Sequence, residues 1–437
     1  MRVGGGKPLG NGIVRQPCRQ WRSTDLPLRH GPWQSADRNI DLHQPTSTAV
    51  GGQRGPIEGR FFQRGGAVTA IDSDRLAALQ LALTPGIGPV LYYRLVSALG
   101  SASAALSADP RELTDVDGVS PTLAARMRSA DARQRAQQVA DQCRELGIAI
   151  LLPEDPEFPR LLREIPDPPM VLFYRGQWSP SDAMAIAIVG TRGATQYGRS
   201  QAELLARSLA RAGLTIVSGL ARGIDAAAHH AALEAEGRTI AVQAGGIDAI
   251  YPPQHRELAG RIERAGVIVG EVPPGAKPKK GMFPQRNRLI SGLALGTIVV
   301  EAGTRSGALI TARLAGEQGR EVFAVPGLVT NPRSRGCHQL LRDGAVLVES
   351  AQDVLDALGP LVEGVTLSPG QTIRHPAEMQ LNEQETLVLQ AIGVEPTDIN
   401  KVIVASGLPV PRVLGTISVL EMKKLIRRIS GQLVQRT

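Results

Sequence analysis

Six cations stand where short apolar runs give way to glycine or proline: Arg192, Arg222, Lys279, Lys280, Arg286 and Arg288. Guanidinium and ammonium groups hold phosphate oxygens through charge-assisted hydrogen bonds. Beside them, Gly219 and Gly223 in "SGLARGIDAAAHH" permit close backbone approach. Ser306 in "VVEAGTRSGALITA" opens a helical pattern whose first N–H groups favour an anion. Such a row of donors is equipment for holding a phosphodiester backbone.

The same stretches assemble no catalyst. "VGTRGATQYGRS" (Val189–Ser200) is a near miss for a P-loop. Arg199 stands where GxxxxGK[ST] requires lysine, and arginine's planar fork does not replace that point charge. Two readings remain: the turn's amides and Arg192 grip a phosphate without hydrolysing it, or the turn only needs glycine geometry. Asp225 is placed to cap the next helix, with His229 four residues on, along the same face. No nucleophile is in register with them, so the pair reads as structural. Glu301 ends an otherwise apolar strand, and a buried carboxylate requires a partner. Arg286 and Arg288 are the nearest surplus of donors, so an arginine–Glu301 pair is expected. Paired carboxylates, a Cys–His dyad and a His-rich ligand set are all missing from the sequence, so no enzyme, metal or cofactor is expected.

"FPQRNRLISGL" (Phe283–Leu293) puts two arginines around Asn287 at an apolar helix start. Pro284 suits the first helical position. Arg286 and Arg288 then lie about 200° apart around the helix and cannot both face one ligand. Arg286 shares the inward face with Leu289 and Ile290 and is expected to pair inside, with Arg288 left for phosphate.

The elements that must position these residues follow from periodicity. From Ala183, short β-rich runs ("AIAIVG", "LTIVSGLA", "RTIAVQAGG", "GVIVGEV", "GTIVVEAG", "EVFAVPG") alternate with helical stretches. Continuous apolar strands alternating with helices predict an α/β fold with a doubly wound, mainly parallel sheet. Ligands bind such sheets beyond the carboxyl ends of the strands, where the glycines and cations lie. Upstream, Ser73 to Gly147 reads as helical, with two tight turns, "PGIGP" and "VDGVSP", each followed by an amphipathic run. That is a helix-hairpin-helix pattern, whose turn amides can hold phosphate; a small helical protein-interaction bundle is the slightly favoured alternative. Leu151–Gly176 reads as a proline-broken connector with extended segments. Near the end, helical patterns at Asn382–Ile392, Asp398–Ser406 and Pro411–Lys424 precede the hairpin-like "LIRRISGQLVQRT", a winged-helix-like order. The expected organisation is an extension over 1–70, a helical domain over 71–147, the α/β domain over 148–360, a linker over 361–380 and the winged-helix-like domain over 381–437.

With 437 residues the chain accommodates two or three domains. Its formal charge of +8 is misleading, because residues 1–66 carry ten Lys and Arg against four Asp and Glu. The remainder is nearly neutral, so a nucleic-acid site must be a local patch rather than a global field. Residues 1–66 lack helical or strand period and read as disordered or an upstream extension, a dispensable tail being favoured over a basic arm that clings to nucleic acid. No apolar run reaches the roughly eighteen residues of a membrane span, and no secretory leader is evident. Cys18, Cys143 and Cys337 are scattered, which suits a reducing cytoplasm.

"IVGTR", "SGLARGID", "GGIDAIYP", "FPQRNRLISGL", "VVEAGTRSGALITA", "VFAVPG" and "GCHQLLRDGA" occur in the order found in the bacterial DNA-processing protein A family (DprA, also called Smf). The resemblance covers about residues 75–437 and is most specific over Ala183–Ala345. It implies an extended Rossmann domain with a helical N-terminal domain and a C-terminal winged helix. It also implies a homodimer that binds single-stranded DNA, protects it and loads the RecA recombinase during natural transformation, without established enzyme activity. By position, the family's DNA-gripping arginine of "VG[ST]R" falls on Arg192, and its lysine and aromatic before "RNR" fall on Lys280 and Phe283. Such cations hold phosphates while an aromatic face stacks a base without reading sequence. The site expected as a whole comprises Arg192, Lys280, Phe283, Arg286, Arg288, Gly219, Gly223 and Ser306, supported by Asp225, Asn287 and Glu301.

The chain departs from the family pattern twice: His338 stands where asparagine is usual, and "LEMKKLIRR" replaces the usual "LEL…G". The rival reading is a nucleotide-cleaving hydrolase of the lysine-decarboxylase-like phosphoribohydrolases. Those resemble this chain in a glycine-rich turn near the fifth strand but require "PGGxGTxxE", and "EAGTRSGAL" has neither the Pro-Gly-Gly nor the following glutamate.

Overall fold

The structure, a computed structural model, describes residues 72–359, 365–368, 371–376, 378, 381–429 and 431–437. The expected N-terminal extension and part of the expected linker lie outside the described residues. In chain order the strands that bear on function are β1 (Ala149–Leu151), β2 (Leu172–Gly176), β3 (Ala185–Val189), β4 (Thr215–Ser218), β5 (Thr239–Val242), β6 (Val267–Gly270), β7 (Gly296–Val299), β8 (Glu321–Ala324) and β9 (Val346–Leu347). Each of the six apolar runs read from the sequence is a strand. Two compact units form: one from Ser179–Ala241 with Asn287–Thr437, the other from the helical segment up to Trp178 with Val242–Arg286.

In the first unit, β4 and β7 flank β3, β5 continues beyond β4, and β8 and β9 continue beyond β7, all parallel. The register sets Ile186 opposite Ile216 and Ala187 opposite Thr297. Strands β3, β4 and β7 are buried along their whole length, and their residues are accordingly apolar or small, with no charge. Helices Gln196–Arg211 and Ile224–Glu234 lie against this sheet, and Leu205, Leu209, Ala228 and Ala231 join Ile186, Ile216, Ile298 and Phe323 in one core. Each fully buried leucine there contributes about 1.5–3 kcal/mol relative to exposure.

The same unit ends in three helices, Glu383–Gln390, Ile399–Ser406 and Val410–Met422. A short antiparallel sheet accompanies them, with Leu433–Arg436 between Thr397–Asp398 and Ile426–Arg428. Val388, Leu389, Val402, Val413, Ile417, Leu420 and Val434 form its core. The expected winged-helix order is therefore present despite "LEMKKLIRR". Asn382 and Glu385 form a capping box on the first of these helices.

In the second unit, β2 lies between β1 and β6, antiparallel to both. The helical segment preceding them is built on an internal repeat. "TPGIGPVLYYRLV" (84–96) and "VDGVSPTLAARMR" (116–128) superimpose in register, so that Gly86, Leu91 and Arg94 correspond to Gly118, Leu123 and Arg126. Gly86 and Gly118 both have positive φ, as these turns require. The repeats cross-brace one another. Arg126 Nη1 donates to the Pro85 carbonyl at 3.0 Å, while Arg94 Nη1 donates to Asp117 Oδ2 at 2.7 Å. Each hairpin turn is thus touched by the other repeat's arginine, and the second turn carries the exposed carboxylate of Asp117.

Among the described residues, no single helix is long and apolar enough to cross a membrane.

Candidate nucleic-acid interface

At the carboxyl ends of β3, β4, β7 and β8 four loops carry exposed arginines: Arg192, Arg222, Arg305 and Arg333. The loops are fastened together underneath. Thr191 N–H donates to the Glu301 carbonyl at 2.7 Å, and Ile224 N–H donates to the Thr191 carbonyl at 3.4 Å. Gly223 has φ +81°, and a Cβ on it would lie 2.3 Å from the Thr191 carbonyl oxygen. Its lack of a side chain is therefore used by the Arg192 turn itself. Asp225 does not cap its own helix as expected. Its Oδ2 accepts from the backbone N–H of Gly219 at 3.2 Å and of Ala221 at 3.3 Å, fixing the loop that carries Arg222. His229 pairs with Thr239 through Nδ1 at 2.7 Å, and the Thr239 hydroxyl donates to the Ile216 carbonyl. Since that hydroxyl's proton is committed, Nδ1 carries the hydrogen. The histidine is a structural tie to Thr239, while Asp225 holds the Gly219–Ala221 backbone.

Glu301 is the buried hub of this edge, with 1% exposure. Its Oε1 accepts from the Thr195 hydroxyl at 2.7 Å and from Asn331 Nδ2 at 3.1 Å, and its Oε2 accepts from the Thr195 N–H at 2.9 Å. The expected arginine–Glu301 pair is thereby corrected: three donors from two loops satisfy the carboxylate. A buried acid needs hydrogen bonds, and neutral donors supply them. Thr195 also caps helix Gln196–Arg211, its Oγ1 accepting from Gly198 N–H at 3.1 Å. Ser306 caps the helix starting at Gly307 by accepting from Ala308 N–H at 3.3 Å. His338, at the position where the resembled family has asparagine, donates from Nε2 to the Gly327 carbonyl at 2.9 Å and so anchors the loop after β8.

Helix Met282–Gly292 starts two residues before Pro284 rather than at it. From Arg286 to Ala294 every residue is buried, and Arg286 and Arg288 are both only 7% exposed. The expectation that Arg288 is left for phosphate is corrected for this reason: a helix covered all round offers no solvent side to either arginine. Arg286 donates from Nη1 to the Val242 carbonyl. Asn287 Nδ2 donates to the Gly307 carbonyl at 3.3 Å, and Gln318 Nε2 donates to the Arg288 carbonyl at 3.0 Å. The Arg286 and Asn287 side chains are structural ties, and the helix is held further through the Arg288 backbone carbonyl.

In the second unit Lys277, Lys279 and Lys280 are exposed on the loop leading into this helix. Gly245 and Gly246 hold that loop. Gly246 N–H donates to the Ala276 carbonyl at 2.9 Å, and a Cβ on Gly245 would lie 3.0 Å from the Pro278 nitrogen. Phe283 is partly exposed and pairs with Tyr251 at a centroid distance of 5.7 Å and an interplanar angle of 57°. Tyr251, 43% exposed, lies in "GGIDAIYP" and is not among the expected site residues. Arg305 and Arg333 were not anticipated either; Arg305 has the signal of a cation just beyond a strand-end glycine, whereas Arg333 lies six residues past Gly327 and carries no such signal.

Residues 125–359 match a family model described as DNA recombination-mediator protein A, 373–432 match a DprA winged helix domain, and 72–136 match a DprA-like N-terminal HHH domain. Protein Smf of Synechocystis sp. is 35% identical over 381 residues, covering 80% of this chain and 96% of that protein. A putative DNA processing protein DprA of Mycobacterium tuberculosis is 41% identical over 320 residues, covering 69% and 81%. The X-ray structure of DNA processing protein A from Streptococcus pneumoniae aligns with a TM-score of 0.56 at 35% identity, covering 65% of this chain and 97% of that one.

Proposed function

The chain belongs to the DNA recombination-mediator protein A family, and from that premise we propose that it binds and protects single-stranded DNA and loads the RecA recombinase onto it in natural transformation or uptake-linked recombination. In this reading it works in the cytoplasm as a homodimer and is not an enzyme. The domains expected from the sequence are taken over with it.

One observation carries the DNA-binding reading. Exposed arginines top the carboxyl ends of adjacent parallel strands, while the acids beneath them, Glu301 and Asp225, are buried and already accept hydrogen bonds. The edge therefore presents positive charge with no acid free to act on a substrate. Arg192 and Lys280 grip phosphates, and the Phe283–Tyr251 pair stacks a base. Gly219, Gly223 and Ser306 give the strand-end backbone its shape, and Asp225, Asn287 and Glu301 keep it fixed.

Binding of oligo-dT measured against salt tests the reading. Affinity that falls steeply with salt, by several released counterions, supports it. Absence of oligo-dT binding contradicts it, and base release from nucleoside monophosphates would establish the hydrolase instead.

A further inference from the structure

We propose that Arg333 is a second phosphate-gripping residue, acting beside Arg192, and that the Asn331–Glu301 hydrogen bond is the device that positions it. The inference rests on the reading of this edge as a single-stranded-DNA site.

Arg333 lies on the loop after β8, far in sequence from the Arg192 turn after β3. Yet a Cβ built on Gly193 would lie 4.0 Å from Arg333 Nη2, so the guanidinium reaches the residue next to Arg192. The loop's course is fixed by three ties. Tyr197 donates its hydroxyl to the Pro326 carbonyl at 2.7 Å, and His338 donates to the Gly327 carbonyl at 2.9 Å. Asn331 then works in both directions: Nδ2 donates to Glu301 Oε1 at 3.1 Å, and Oδ1 accepts from Arg333 N–H at 3.0 Å, starting the turn Pro332–Ser334.

The charges give this arrangement its direction. Arg192 and Arg333 are both exposed on neighbouring turns. Glu301, the acid beneath them, has its oxygens occupied by Thr195 and Asn331, and Arg333 forms no ion pair among the described residues. A guanidinium beside the Arg192 turn adds positive charge to that edge, which an anion complements. A phosphodiester strand supplies that anion, and two neighbouring forks hold it in one orientation.

The test compares oligo-dT binding by the wild type, Arg333→Ala, Arg333→Lys and Arg192→Ala over a salt series. Arg333→Ala is expected to bind roughly tenfold more weakly, the loss of one charge-assisted contact. Its plot of log affinity against log salt should be shallower by about 0.7, one phosphate contact on a single strand. Arg333→Lys should restore the slope, which a purely structural role for the arginine would not produce. Wild-type affinity and slope in Arg333→Ala, beside a loss in Arg192→Ala, overturn the inference and leave the function intact. Failure of the wild type itself to bind oligo-dT overturns the functional reading as well.

Discussion

A methyl group on Gly198 would lie 2.3 Å from Glu301 Oε2. The glycine that makes "GATQYGRS" resemble a P-loop thus makes room for a buried carboxylate. Gly198→Ala must push that carboxylate off Thr195, and should destabilise the first unit by about 2–3 kcal/mol, as overpacking and a weakened buried hydrogen bond together do. Denaturant unfolding measures this. Gly193→Ala is the control: its new methyl would meet nothing nearer than Arg333 at 4.0 Å, and its stability should match the wild type. Equal stability for the two variants would mean that Glu301 sits elsewhere.

Glu301→Gln keeps the size of the side chain but replaces one acceptor with a donor. Facing the Thr195 N–H, hydroxyl and Asn331 amide, the new NH2 group must meet at least one donor head-on. The expected cost is about 1–3 kcal/mol of stability, the desolvation penalty of a buried unsatisfied group. DNA affinity should fall too, because the loops bearing Arg192 and Arg333 lose their common anchor. Unchanged unfolding and unchanged binding together would remove Glu301 as the hub.

Stacking and charge separate experimentally. Phe283→Leu should weaken oligo-dT binding by about 1–3 kcal/mol while leaving the salt slope at its wild-type value, since the lost contact is not ionic. Tyr251→Leu should do the same more weakly. A changed slope in Phe283→Leu would mean that the ring positions cations rather than a base.

Burial pushes the Cys143 thiol up to about 12 and the Cys337 thiol up to about 11. Cys337 also contacts the Val299 and Val300 carbonyls from within the sheet end. Because the thiolate is the reactive form, both side chains should resist maleimide in the folded protein at pH 8 and label on unfolding. Labelling of Cys337 at the rate of a free thiol would show that the strand end opens.

Strands β3 to β8 were legible because each is a short apolar run that gives way to glycine within a few residues and alternates with helical stretches; β1 and β9 are too short to carry such a pattern. The winged-helix order was legible from capping residues such as Asn382 and Asp398, which mark helix starts whatever the later sequence does. Glu301's partners were not. Thr195 is 106 positions away and Asn331 is 30, and a buried acid in sequence suggests a cation even where neutral donors serve. Arg286 was read as inward-facing and is buried; Arg288 misled, because a residue about 200° around the helix from a buried one reads as solvent-facing until the helix is seen buried all round. The two glycine turns of the helical segment were noticed, but the matching register of Arg94 and Arg126 that braces them was only recognisable once their contacts were known.

The central claim is that Arg192 and Lys280 hold the DNA backbone. Fluorescence anisotropy of labelled oligo-dT with the wild type, Arg192→Ala and Lys280→Ala tests it most directly. Both variants should melt like the wild type, bind roughly tenfold or more weakly, and show a salt slope shallower by about 0.7 each, one phosphate contact apiece. Wild-type affinity and slope in both variants would contradict the account.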